Sequence, residues 1–215
     1  MYTKALSYSG KSLYKKCPAA FKSAYIDGVR EEAGKAAQRG TMLHTSLEEF
    51  FLGSSYPTDQ TLLPWRRYME QLTLKTPTPE GQIAVRSDWS PTNFDDPEAE
   101  LRGAFDLMYV DKSVTEIFDW KSGKVYDSHK EQGEHYVAML PENGGYYVNF
   151  VYLDQYDTVH RHFYNARDRR ELQDRIADEI NVIREDTQFI ATPSNDNCQW
   201  CKLSWRKGGI CKEAP

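Results

Sequence analysis

Two strand-like runs, residues 100–110 and 114–120, are separated only by Asp111-Lys112-Ser113. Both runs are rich in the β-branched and aromatic residues that fit a pleated, half-buried surface. A connection this short joins antiparallel neighbours, because a parallel crossover needs a dozen residues or more. The middle of the chain therefore holds a hairpin, and a doubly wound parallel sheet is excluded. Further runs at 83–88, 146–153 and 159–164 read as strands. Helical periodicity appears elsewhere. Leu43, Leu47, Phe50 and Phe51 make one apolar stripe from Thr41, the expected N-cap, to the stop at Gly53. Gly28, Gly34 and Gly40 mark a loop before it. Leu13, Cys17 and Phe21 recur at i+4, with Pro18 breaking that helix near Cys17. Residues 65–74, 128–140 and 167–185 read as three more helices. The pattern is α/β, with a central mixed or antiparallel sheet flanked by helices.

A length of 215 residues suits a single domain. We divide it into a helical segment (1–40), a core (41–190) and a cysteine-rich tail (191–215). Hydrophobic residues at 40% and charged residues at 27% exclude a disordered or fibrous chain. No apolar run approaches the roughly 18 residues of a membrane span. The first ten residues hold no hydrophobic block, so a cytoplasmic location is expected, that of a host if the chain is phage-encoded. The net charge of −5 weighs against a general nucleic-acid coat protein. That charge is uneven. Residues 1–40 carry 8 basic and 3 acidic side chains, and residues 200–215 carry 4 and 1, so both ends are basic around an acidic middle.

The hairpin carries the chemistry. Its first strand contains Gly103-Ala104-Phe105-Asp106 and its second ends Asp119-Trp120-Lys121. Asp119 and Lys121, two apart, share a face. A two-residue turn at Lys112-Ser113 sets Asp106 opposite Asp119, whereas a three-residue turn sets it opposite Phe118. Adjacent carboxylates flanked by aromatics repel and are costly to bury. A divalent cation resolves both problems, and it can activate a water against a phosphate, with Lys121 assisting. Read structurally instead, Asp119 and Lys121 form a surface ion pair. His44 is a possible metal ligand near the start of its helix. Gln132 and Tyr136 lie one helical turn apart, placed to bond a water, a phosphate or a backbone group.

Cys198 and Cys201 form a C-x-x-C pair, Cys211 follows after nine residues, and Cys17 stands far off in sequence. Four thiolates suit a tetrahedral zinc or an iron–sulfur cluster. Such a centre would staple the tail to the N-terminal helix and bring the two basic ends together. A redox C-x-x-C and unrelated thiols are the alternatives.

In this order the motifs resemble the RecB-like branch of the PD-(D/E)XK nucleases, including CRISPR-associated adaptation nucleases and phage exonucleases. Cys17-Pro18 with Phe21 and Tyr25 resembles the family's C-P-x-x-F/Y segment. Arg39-Gly40-Thr41 with His44 and Leu47-Glu48 resembles R-G-t-x-x-H-x-x-L-E. Gly103 to Asp106, Asp119 to Lys121, Gln132 with Tyr136, and the closing cysteines resemble G-x-x-D, D-x-K, Q-x-x-x-Y and the family's cysteine triplet. The resemblance implies a PD-(D/E)XK core with Mg²⁺ or Mn²⁺ held by His44, Asp106, Asp119 and the Trp120 carbonyl. It implies Lys121 as catalytic lysine, Gln132 and Tyr136 in support, and a 4Fe-4S cluster on the four cysteines, with zinc the less favoured occupant. The last cysteine gap is longer than in relatives. The strand at 83–89 lacks the Glu many relatives carry, so no ligand is expected from it.

The expected activity is metal-dependent DNA exonuclease action on single strands or duplex ends. Lys11, Lys15, Lys16, Lys22 and Arg39, with Lys202, Arg206 and Lys207 of the tail, would follow the DNA backbone, and Trp200 and Trp205 would stack on bases. The competing readings are a catalytically inactive DNA-binding or adaptor protein on the same fold, and a zinc-stapled interaction protein.

Overall fold

A computed structural model describes residues 2–29, 34–199, 201, 203–209 and 211–213. Trp200 and Lys202, both expected on the DNA path, lie outside the described residues. The helices are α1 (Tyr8–Lys16), α2 (Pro18–Phe21), α3 (Lys35–Phe51), α4 (Arg66–Thr73), α5 (Ser128–Met139), α6 (Ala166–Glu185) and α7 (Asn195–Cys198). The strands are β1 (Thr78–Val85), β2 (Pro91–Thr92), β3 (Leu101–Val110), β4 (Val114–Lys121), β5 (Gly145–Tyr152) and β6 (Val159–Asn165). The chain forms two compact units, one of Met1–Glu32 with Arg175–Pro215 and the other of Ala33–Asp174. Among the described residues no helix is long and apolar enough to cross a membrane.

The larger unit is built on a six-stranded sheet of order β2-β1-β3-β4-β5-β6. Only β4 and β5 run parallel, so the sheet is mixed. The hairpin follows the two-residue turn. Asp111 donates its N–H to the Val114 carbonyl at 2.9 Å, and Leu107 pairs with Phe118. The Asp111 carboxylate holds the turn by accepting the Ser113 and Val114 N–H groups at 2.8 and 2.9 Å. Leu43, Leu47 and Phe50 of α3 and Met69 and Leu72 of α4 share one buried cluster with Leu107, Phe118, Trp120 and Val151 of the sheet. Alternation on β4 sends Asp119 and Lys121 to the opposite face, where α5 lies.

Two boundaries depart from expectation. Helix α3 begins at Lys35, not Thr41. Residues 35–39 are good helix formers, and Thr41 donates its hydroxyl back to the Ala37 carbonyl at 3.1 Å instead of capping. Strand β1 begins at Thr78, five residues before the expected start. Pro79 is tolerated there because β2 pairs only with Ala84 and Val85, leaving this stretch of β1 with one hydrogen-bonded neighbour.

The smaller unit is organised around aromatic rings. Phe21, fully buried, stacks on Tyr25 at 4.9 Å and meets Tyr2 edge-on at 5.1 Å. Pro18 forces Cys17 into an extended conformation (φ −161°, ψ 106°) and then serves as the first residue of α2. That break turns the Cys17 position out of helical register.

Candidate active site

The β3–β4 ladder stops at Leu107 and Phe118, one position short of Asp106 and Asp119. Asp106 takes over there: its Oδ2 accepts the Trp120 N–H at 2.6 Å, and its Oδ1 lies 2.8 Å from His44 Nδ1 of α3. On its other side β3 pairs with β1, and the register places Glu80 level with Asp106 at an interruption between Pro79–Leu107 and Gly81–Phe105. Glu80 has a left-handed backbone (φ 41°), uncommon for a residue with a Cβ. Its neighbour must be glycine, because a Cβ at Gly81 would stand 1.9 Å from the Phe105 ring. One ligand atom each from His44, Glu80 and Asp106 lies within 4.8 Å of the others. No ligand was expected from this strand. Glu80 was missed because Pro77, Pro79 and Gly81 read as turn residues. The signal that finds it is the pairing of β1 with β3.

Asp119 is buried, at 3% exposure, and fully engaged. Its Oδ1 lies 2.6 Å from the Lys121 ammonium. Its Oδ2 accepts from Gln132 Nε2 at 2.9 Å and lies 2.9 Å from the Tyr136 hydroxyl. Gln132 completes the circuit, accepting from Lys121 through Oε1 at 2.7 Å and donating to Tyr136 at 2.8 Å. Tyr136 also reaches the Ala104 carbonyl at 2.8 Å. Gly103 allows this approach of α5, since a Cβ there would come within 2.9 Å of Met139 and 3.6 Å of the Tyr136 ring. The expected pairs Asp119–Lys121 and Gln132–Tyr136 thus form one network. The Trp120 side chain is buried between Phe51 and Phe118, at ring distances of 5.9 and 6.3 Å.

The electrostatics favour retained protons. Burial, then the Asp119 charge, raises the Asp106 carboxyl, against the pull of His44 and the Trp120 N–H. Burial opposes the charged form of His44, yet Asp106 and Asp119 together hold its pKa above the ordinary value. Glu80, an exposed residue, is pushed up to about 7 by partial burial of its carboxylate and then by the charges of Asp106 and Glu48. Tyr136 is raised well beyond its usual range, mainly by burial, and stays a neutral donor. A site with excess negative charge, open to solvent at Glu80, suits a hard cation bound by oxygen and imidazole.

The expected DNA-contacting cations fall into different places. Lys15 and Lys16 are exposed. Lys11 is buried, at 6% exposure, and paired with Glu179, so it does not face solvent. Lys22 pairs with Asp27 at 2.8 Å. Arg39 grips Asp154 with two bonds of 2.6 and 3.0 Å and Thr61 with a third of 3.0 Å, so its guanidinium is committed within the protein. Asp154 in turn accepts the Gly123 N–H at 2.6 Å, two residues beyond Lys121.

In the smaller unit Cys17, Cys198, Cys201 and Cys211 line one cavity of about 310 Å³ together with apolar residues such as Ala20 and Leu203. Each cysteine is a half-buried free thiol. The tail is tied beside Cys17, where the Lys16 carbonyl accepts from Thr192 at 2.6 Å and Asn197 at 2.8 Å.

Comparison with known proteins agrees with this fold. Two crystal structures share the fold across nearly the whole chain. SSO0001 has a TM-score of 0.52 at 15% identity, covering 100% of this chain and 89% of its own. A protein described as "Putative exonuclease" from Eubacterium rectale has a TM-score of 0.58 at 11% identity, with coverages of 99% and 91%. At these identities the likeness is one of fold alone. No curated protein matches the chain in sequence. The family model of the PD-(D/E)XK nuclease superfamily matches residues 5–206, and the chain belongs to that superfamily.

Proposed function

We propose that this protein is a DNA exonuclease dependent on Mg²⁺ or Mn²⁺, acting on single strands or duplex ends. The observation that carries the reading is the convergence of His44, Glu80 and Asp106 within 4.8 Å beside the Asp119–Lys121–Gln132–Tyr136 network. The donor set, one imidazole and clustered carboxylates, fits a divalent ion, with Asp119 and the Trp120 carbonyl as further ligands. Such an ion supplies Lewis acidity that activates water and offsets phosphate charge. Lys121 holds its ammonium against Asp119, where it can orient the attacking water or neutralise the phosphoryl group. Gln132 fixes that ammonium through Oε1 and so sets its direction. Tyr136, held neutral, keeps Asp119 in one rotamer. Lys15 and Lys16 attract the DNA backbone.

We take the occupant of the four-cysteine cavity to be a 4Fe-4S cluster rather than zinc, as the family resemblance implies; four half-buried thiols lining one cavity supply the ligand count that either would need. Protein purified anaerobically is expected to be brown with about four irons per chain; a colourless protein holding one zinc would refute the cluster. Degradation of end-labelled single-stranded and duplex DNA carrying 5′ or 3′ blocks tests the exonuclease assignment. A block at one end should stop the reaction, and internal cuts in circular DNA would contradict it.

A further inference from the structure

After Lys121 the chain turns through residues 122–127 into α5 and presents Tyr126 at 58% exposure beside the exposed Val125. The Tyr126 ring stands edge-on to His129, with centroids 5.5 Å apart at 86°. His129 is itself braced: its Nδ1 lies 2.9 Å from the Tyr152 hydroxyl, and its ring lies 5.9 Å from Phe150 and 5.6 Å from Tyr152. Phe150 and Tyr152 are the β5 partners of Asp119 and Lys121. The Lys121 ammonium lies 5.6 Å from the centre of the Phe150 ring. An unbroken series of ring contacts therefore runs from the candidate catalytic lysine to an exposed tyrosine. Lys124 and Lys130, both exposed, flank that tyrosine in sequence; Lys130 is only loosely paired, 3.9 Å from Glu134.

We propose that Tyr126, braced by His129, is a stacking platform for an unpaired base of the DNA strand whose phosphate lies at Lys121. The proposal rests on the nuclease reading and narrows its substrate to a strand with unpaired bases. A phenol ring can stack only on a base face that no neighbouring pair covers. Such stacking is tolerant of sequence, because every base offers a π-face. A ring with two χ angles, already held against His129, loses little freedom on contact. The ammonium groups of Lys124 and Lys130 supply charge for the phosphates on either side.

The test measures binding of two twelve-residue single strands to the intact protein, with Ca²⁺ replacing Mg²⁺ to hold back turnover. One strand is oligo-dT and the other has the same backbone with abasic sugars. Wild-type protein is expected to prefer the base-bearing strand by about tenfold. Tyr126→Ala should reduce that preference to within about twofold, and Tyr126→Trp should keep it. A wild-type protein without base preference overturns the platform, and so does a Tyr126→Ala variant that retains the full preference. Cleavage with Mn²⁺ is scored separately. Wild-type protein that cleaves but has no base preference removes the platform alone, whereas wild-type protein that has the preference but does not cleave removes the nuclease reading alone.

Discussion

The carboxylate of Asp106 accepts the backbone N–H of Trp120 at 2.6 Å, at the position where the β3–β4 ladder ends. One side chain thus closes the hairpin and faces His44. The two roles separate by substitution. Asp106→Asn retains an oxygen for the Trp120 N–H, while Asp106→Ala leaves that donor without its acceptor. We expect the alanine variant to be less stable than the asparagine variant by about 1–3 kcal/mol in metal-free urea unfolding. Equal stabilities would show that Asp106 does not support the strand.

Glu80 gives the metal-free protein a pH dependence. Its folded pKa, about 7, lies above the ordinary value of 4.5. A carboxyl raised in this way favours the fold fully below its unfolded pKa and loses that contribution as pH rises through the folded one. Metal-free protein should therefore lose thermal stability between about pH 4.5 and 7, and Glu80→Gln should flatten that slope. Added Mn²⁺ should restore stability above pH 7 in the wild type and less so in the variant. An identical slope in both proteins would contradict the assignment.

Gly81 leaves less room for a Cβ than Gly103 or Gly145, the other glycines in the strands of the sheet that frames the site. A methyl group there would collide with the Phe105 ring at 1.9 Å. Phe105 is buried and cannot swing to solvent without exposing core surface. Gly81→Ala should cost about 1–3 kcal/mol of stability through overpacking. Gly103→Ala should cost less, because it meets the movable end of Met139 at 2.9 Å. Chemical denaturation of the two variants decides the order.

Arg39 and Asp154 act together on the turn after Lys121. Their side chains are 44% and 30% exposed, so the pair itself contributes at most about 1 kcal/mol. Its consequence for cleavage should be larger, because Asp154 also holds the Gly123 N–H. Arg39→Ala and Asp154→Asn should each lower kcat by about tenfold, and the double variant should fall no further. Multiplicative losses would show that the two side chains act independently. Arg39→Lys should not restore the rate, since a single ammonium cannot grip both carboxylate oxygens.

Much of this arrangement was legible in the sequence for local reasons. The short connection allows two registers, and the two-residue turn at Lys112-Ser113 is the one formed, which brings Asp106 and Asp119 level, while i+4 spacing puts Gln132 and Tyr136 on one side of α5. Cys17 lies 181 or more residues from the other three cysteines, so ligand count alone groups the four, and they do line one cavity. What escaped depends on tertiary pairing. Glu80 sits in a proline- and glycine-rich stretch that becomes a strand only because β3 offers its edge. Lys11 reads as a surface cation until the fold buries it against Glu179, and Arg39, still exposed, is held by Asp154. Such long-range carboxylate partners leave no periodic trace in the sequence.

The central claim is that the cluster of His44, Glu80, Asp106 and Asp119 performs metal-dependent phosphodiester hydrolysis. Its most direct test is cleavage of end-labelled DNA by wild-type protein and Asp119→Ala, each with Mg²⁺, Mn²⁺ or EDTA. The account predicts degradation by the wild type with either metal, none in EDTA, and at least a hundredfold loss in the variant (~3 kcal/mol of transition-state stabilisation). Equal degradation by both proteins, or none by either, would contradict it.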